Sequence, residues 1–257
     1  INLWFHEPHQ KVAAPDGYLE KHQDTNLPAY YGSIENMDAA IGRVLTELEK
    51  QGLTSETLVV FMSDNGSYRG SNGSNGELTK GKTTLWEGGI RVPGIFSWPG
   101  VIAEGTIENQ PAGVVDIFPT IKEIVEGEID KNIVIDGSSL LPVFKEGKFE
   151  RKKPLYWFYP PSRPVAVIRK DSWNLIADPE IEIPRGNMFQ EEYIGIIKET
   201  KLQNFRLYNL RNDPKQSKDV SSENPEVFEG MKKEMIKLHE EIVKEAIDWR
   251  DFSWPNN

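Results

Sequence analysis

Hydrophobic and polar positions change rhythm near the middle of the chain. Ile1–Phe5 is apolar apart from Asn2 and predicts a strand, closed by Pro8 in the loop His6-Glu7-Pro8-His9. From Pro28 to Gln51 the apolar residues Ile34, Met37, Ile41, Val44, Leu45 and Leu48 recur every three or four positions. That is the period of a helix with one packed face, and Gly52 supplies a left-handed stop. Leu58–Met62 is a continuous apolar run, the pattern of a strand covered on both faces. Strand, helix and buried strand together predict a right-handed crossover in a parallel sheet. Residues 65–81 are rich in Ser, Asn and Gly and predict a long loop. Ile90–Trp98 reads as a strand interrupted by Pro93 and Gly94. Val114–Val125 carries a short helix, and the charged stretch Gly147–Lys153 reads as a linker.

The second half is built differently. Leu155–Phe158, Val165–Arg169, Trp173–Ala177 and Phe205–Leu210 are short strands divided by turns, the pattern of an antiparallel sheet. A last helix is predicted from Pro225 to Trp249, with Phe228, Met231, Met235, Leu238 and Ile242 as its apolar stripe. The expected organisation is an α/β domain over 1–150 and a small antiparallel-sheet subdomain with a packed helix over 151–257.

Composition narrows the function. Lys and Arg number 30 against 40 Asp and Glu, a net charge of −10, which argues against nucleic acid and anionic membranes as partners. No stretch approaches the ~18 apolar residues of a membrane span. The chain has no cysteine, which excludes disulfides, thiolate metal sites and a cysteine nucleophile within it. It opens inside what reads as a buried strand, without an initiator Met or signal-like segment, so a fragment of a longer protein is expected.

Four segments are candidates for chemistry. Ser63-Asp64-Asn65-Gly66 follows the buried strand, where open α/β sheets gather ligands. Asp64 and Asn65 are hard oxygen donors for Ca²⁺ or Mg²⁺, and the same residues also make Asx turns. His6 and His9 flank Pro8, and a histidine there suits general acid, anion-binding or metal-binding work, or simply a polar loop. His22 and His239, in a polar loop and a surface helix, read as unrelated to a site. Gly76–Thr83 fits G-x-x-x-x-G-K-[ST], yet a polar tract precedes it and Glu87-Gly88-Gly89 would break the helix it should open, so nucleotide binding is rejected. Pro160-Pro161-Ser162-Arg163-Pro164 reads as a proline-stiffened loop. The aromatic run Tyr156–Tyr159 suits either a sugar-stacking surface or the core of the small sheet.

In order along nearly the whole chain, these segments resemble the sulfatase family of the alkaline-phosphatase-like superfamily. The specific motifs are Val59–Gly66 with its Asp-Asn-Gly, and Gly81–Pro93 with Lys82 and Glu87-Gly88-Gly89. Supporting matches are Pro8-His9, Asn36–Leu45, Trp98-Pro99-Gly100, Asp116–Thr120, Asp136–Pro142, and Leu207–Leu210 with Asp213-Pro214. The resemblance implies an alkaline-phosphatase-like sandwich, truncated at its start, and hydrolysis of a sulfuric ester. Asp64 and Asn65 would be two ligands of a Ca²⁺ ion. Lys82 would hold a sulfate oxygen and the leaving-group oxygen, and His9 would contact the sulfate and protonate the departing alcohol. Glu87 and Arg91 would brace the loop.

The chain departs from the family at the nucleophile, a formylglycine made from Cys or Ser in C/S-x-P-S-R. The Pro161-Ser162-Arg163 here has Tyr159 at the nucleophile position and lies after the lysine motif. The early Asp-Asp pair of the metal site is also missing. The expectation is therefore half a metal site and two catalytic helpers, inactive alone, in a sulfatase acting on a sulfated carbohydrate or aryl sulfate. The alternatives on the same scaffold are a phosphodiesterase or phosphonate monoester hydrolase, or a non-catalytic anion- or glycan-binding relative. Family members are often exported or lysosomal, which sets the expected compartment.

Overall fold

A computed structural model describes residues 1–68, 72–127, 133–149, 151–183 and 190–246. By contacts the chain divides into two compact units. The first takes in residues 1–62, 72–74 and 93–106, the second 63–68, 75–92 and the described residues from 107 onward.

The first unit is helical with one small sheet. Helices α1 (Asp16–Lys21) and α2 (Pro28–Lys50) pack together. Their approach depends on Gly32, where a Cβ would stand 3.0 Å from Ala14 Cβ and 3.1 Å from Tyr18 O. Glu35 of α2 accepts from His22 Nε2 at 2.8 Å, so His22 fastens the two helices. Pro28 opens α2, where its missing N–H costs nothing, and Gly52 follows the helix with φ +67. Strand β1 (Val59–Met62) is half-buried and pairs antiparallel with β2 (Gly94–Ser97), Val59 opposite Ser97 and Met62 opposite Gly94. The expected parallel crossover is therefore corrected: an apolar run reports burial but carries no strand direction. Ile1–Phe5 forms no strand, and Ile1, Leu3 and Trp4 are exposed. An apolar pattern becomes a strand only where a ladder partner takes its backbone groups, and among the described residues none pairs with it.

The second unit is built on four antiparallel strands in chain order: β3 (Leu155–Phe158), β4 (Ala166–Lys170), β5 (Trp173–Pro179) and β6 (Leu202–Asn209). Leu155 faces Arg169, Ala166 faces Ala177, and Trp173 faces Asn209. Side chains alternate between the two faces, and both faces are covered. On one, Ile168, Leu175 and Leu207 join Met231 and Met235 of helix α7 (Pro225–Glu245). On the other, Val167, Ile176 and Tyr208 pack with Leu85, Trp86 and Ile90 from the loop that carries Lys82. Of α7's predicted stripe Met231 and Met235 are buried and Phe228 and Leu238 pack half-buried against the same core, but Ile242 is 39% exposed. Residues 247–249, the end of the predicted helix, lie outside the described residues.

The aromatic run belongs to this sheet. Tyr156 and Phe158 pack on the α7 side and Trp157 and Tyr159 on the lysine-loop side, which decides for core over a sugar-stacking surface. His239, expected on the surface of α7, is buried. Its Nδ1 is 3.0 Å from Tyr156 Oη and its Nε2 is 2.9 Å from Thr200 O. Thr200 follows helix α6 (Glu191–Glu199), an element not anticipated from the sequence.

Two further helices flank a buried carboxylate. Asp116 ends a short turn before α4 (Ile117–Ile124) and is fully buried. It accepts from Gly113 N at 2.7 Å and Ser138 N at 2.8 Å, and it pairs with Arg151. The stretch expected to be a linker is thus anchored: Gly147 caps α5 (Leu141–Glu146) at φ 64, and the Arg151 side chain is 9% exposed. No helix among the described residues is long and apolar enough to cross a membrane.

Candidate active site

The site is assembled from two loops whose backbones interlock. The first follows β1 as Ser63-Asp64-Asn65-Gly66-Ser67. The second runs from Thr79 through Lys82 into the single helical turn α3 (Glu87–Ile90). Gly66 N donates to Gly89 O at 3.0 Å and Lys82 N to Ser67 O at 3.1 Å, while within the second loop Gly88 N donates to Thr79 O at 2.9 Å. Contact this close requires glycine. A Cβ on Gly66 would sit 1.8 Å from Gly88 O, and one on Gly81 would sit 2.2 Å from Ser67 O. Asn75 fastens the seam. Its Oδ1 accepts from Ser67 N at 2.7 Å, and its Nδ2 donates to Ser67 O and Lys80 O, each at 3.0 Å.

Within this frame Asp64 is exposed and Asn65 half-buried. Ser63 Oγ donates to Asn65 O at 3.1 Å, and Asn65 spends its amide nitrogen on Gly66 O at 3.1 Å. That leaves the amide oxygen of Asn65 and the carboxylate of Asp64 as the hard oxygen donors of this loop. Ca²⁺ takes six to eight oxygen ligands, so this donor pair fits part of a calcium site. Among the described residues no cluster of three or more His, Cys, Asp or Glu side chains is placed to hold a metal.

The lysine loop is also held from the sheet side. Leu85 N donates to Ser162 Oγ at 3.0 Å, Trp86 Nε1 to Arg163 O at 3.0 Å, and Glu87 N to Gln216 Oε1 at 2.9 Å. Trp86 stacks edge-on to Tyr208 with ring centroids 5.9 Å apart. The Glu87 carboxylate is buried. Asn174 Nδ2 approaches it at 3.4 Å, and Gln216 Nε2 reaches Asn174 Oδ1 at 3.3 Å. Burial pushes the Glu87 carboxyl above the usual carboxylate range, against the pull of Arg169, Arg91 and Asn174. Glu87 therefore acts as a brace. Ser162 is buried as the hydrogen-bond acceptor of Leu85 N, which gives the Pro-Ser-Arg sequence a structural use.

Asp64, Asn65 and Lys82 lie in the second unit and His9 in the first. His9 is exposed. Its Nδ1 contacts Gln10 O at 2.8 Å, its backbone N donates to His6 O at 2.8 Å, and the two imidazoles lie edge to face 5.7 Å apart. Four positioning residues were not anticipated: Asn75, Ser162, Asn174 and Gln216. Their local signals, an Asn-Gly, a Pro-Ser-Arg and an Asp-Pro turn, mark bends but not what the bends hold.

The sulfatase family profile matches residues 1–127, which contain both loops and both histidines of the first segment. Residues 1–127 belong to the sulfatase family. Rat (Rattus norvegicus) steryl-sulfatase is 44% identical over 123 residues, 45% of this chain and 21% of its own length. A sulfatase of Formosa agariphila is 31% identical over 209 residues, 76% of this chain and 36% of its own. A crystal structure described as Ps i-CgsB in complex with k-i-k-neocarrahexaose superposes with a TM-score of 0.72 at 26% identity. That match covers 91% of this chain and 48% of the other. The likeness thus includes the small sheet, and the fold is alkaline-phosphatase-like. The chain spans about a fifth to a half of the length of these sulfatases and structural relatives.

Proposed function

We propose that the protein hydrolyses a sulfuric ester. The observation that supports this reading is the backbone interlock of the Asp64-Asn65-Gly66 loop with the loop that carries Lys82. Such a frame binds an oxyanion and stabilises charge on a departing oxygen.

Asp64 and Asn65 supply two oxygens to a Ca²⁺ ion, which, when bound, draws charge from a sulfate oxygen. Amide oxygen in place of imidazole suits calcium over zinc, and hence a sulfate over a phosphate ester. Lys82 holds a sulfate oxygen and the oxygen of the leaving alcohol. His9 contacts the sulfate and donates the proton that the alcohol carries away. The nucleophile, a formylglycine hydrate, comes from outside these 257 residues, because the chain holds no cysteine and its Pro161-Ser162-Arg163 has Tyr159 at the nucleophile position. By itself the chain is expected to be inactive.

A sulfated carbohydrate is the proposed substrate class. It is supported by the oligosaccharide named with the Ps i-CgsB structure and by mouse N-acetylgalactosamine-6-sulfatase, 35% identical over 139 residues. An exported or lysosomal setting follows the same family likeness. The test supplies the nucleophile-bearing segment together with a formylglycine-generating system, and offers an aryl sulfate and a phosphate diester with and without Ca²⁺. Calcium-dependent sulfate release supports the proposal. Turnover of the diester alone refutes it.

A further inference from the structure

The loop that carries Lys82 is gripped at both ends by one tight turn that lies far away in sequence. Thr79 Oγ1 donates to Lys215 O, and Glu87 N donates to Gln216 Oε1 at 2.9 Å. Lys82 stands between these two anchors. The neighbouring residue Lys215 also reaches Glu77 at 3.4 Å. The turn is rigid for a visible reason. Asp213 accepts from Ser217 N at 2.7 Å, Ser217 Oγ at 2.9 Å and Lys218 N at 2.9 Å, while Gln216 N donates to Asp213 O at 3.1 Å. These bonds hold Gln216 at φ 53, a left-handed conformation uncommon for a side chain of its size. Gln216 is only 5% exposed, and its amide is committed at both ends, to Glu87 N and to Asn174 Oδ1 of β5.

We infer that the turn at residues 213–217 is a positioning clamp for Lys82, with Gln216 and Asn174 setting the register of the lysine loop on the sheet and Asp213 holding the clamp shut. The inference rests on the reading of Lys82 as a sulfate ligand. None of these residues touches the sulfate. They act through the backbone at Thr79 and Glu87, and a displacement of about 1 Å at a catalytic group is enough to cost up to 10²-fold in rate.

Two variants test it, Gln216→Leu in the buried contact and Asp213→Ala in the solvent-facing turn, the second because the first removes a buried amide and is the more disruptive to folding. On the 257-residue chain, hydrogen exchange of the amides at 79–90 is expected to rise about tenfold, with the amides of β4 and β5 unchanged. Acylation of Lys82 by an amine-reactive label, followed by mass spectrometry, should change rate in parallel. In the enzyme completed with its nucleophile segment, kcat for an aryl sulfate should fall about tenfold with KM within about twofold. Unchanged exchange at 79–90 in Asp213→Ala overturns the clamp. Loosened exchange with unaltered kcat overturns its positioning role. If the unmutated enzyme releases no sulfate, the sulfatase reading fails, and the exchange and labelling results decide the clamp on their own.

Discussion

Gly66→Ala is the sharpest test of the loop interlock. The new Cβ would lie 1.8 Å from Gly88 O and 2.8 Å from Gly88 C, both backbone atoms that no rotamer change can move aside. The two loops must separate by more than an ångström, and the Gly66 N to Gly89 O bond is lost with the separation. Overpacking of a tight site costs about 1–3 kcal/mol. A backbone hydrogen bond adds about 1 kcal/mol. Together they predict a destabilisation of about 2–4 kcal/mol, or a melting temperature lower by roughly 5–15 °C for a domain of this size. Gly230→Ala is the matched control. Gly230 lies in α7 with nothing within 4 Å of the methyl that alanine would add, so alanine there should be neutral or stabilising by up to about 1 kcal/mol. Differential scanning calorimetry measures both variants, and hydrogen exchange reads the Gly66 amide directly. Melting of Gly66→Ala within about 2 °C of the parent, with unchanged exchange at Gly66, would refute the interlock as the frame of the site.

Lys82→Ala in the completed enzyme should lower kcat by about 10²–10³, the scale for one oxyanion contact; a loss below about threefold removes Lys82 from the mechanism. Asp64→Ala should weaken calcium binding in a titration calorimeter, and an unchanged affinity would end its assignment as a ligand. His239 is held below its usual range by burial, partly offset by Thr200 O, so the folded state binds fewer protons than the unfolded state. Its contribution is therefore full above about pH 6.5 and declines as pH falls through that value. Urea melts from pH 7.5 to 5.5 should show this loss, and His239→Gln should flatten it. Arg151→Met leaves the fully buried Asp116 without its cationic partner and should cost about 3–5 kcal/mol, measured by the same melts.

What could be read from the sequence was whatever repeats along it. Helix α2 and the small antiparallel sheet are written in regular alternations, and β3 begins and ends where the pattern of Leu155–Phe158 says it should. Direction and partnership are not periodic, which is why β1 looked parallel and Ile1–Phe5 looked like a strand. The loop residues Asp64, Asn65 and Lys82 stood out because their motifs are local. Asn75, Ser162, Asn174 and Gln216 did not, because a polar side chain in a turn looks the same whether it faces water or holds a backbone amide many residues away. His239 shows the same blindness: a lone histidine among the Lys and Glu of α7 looks exposed until Tyr156 and Thr200 are found around it.

The seam between the two site loops is joined largely by main-chain atoms. Main-chain geometry is shared by every amino acid, so the seam is indifferent to the side chains on either side of it, provided the glycines at 66, 81, 88 and 89 and the amide of Asn75 persist. An exposed position such as Tyr68 can then change chemistry while the frame stays where it is. The architecture separates the frame that must stay constant from the side chains that can vary, and it leaves descendants of this sequence room to change what the loops present without rebuilding them.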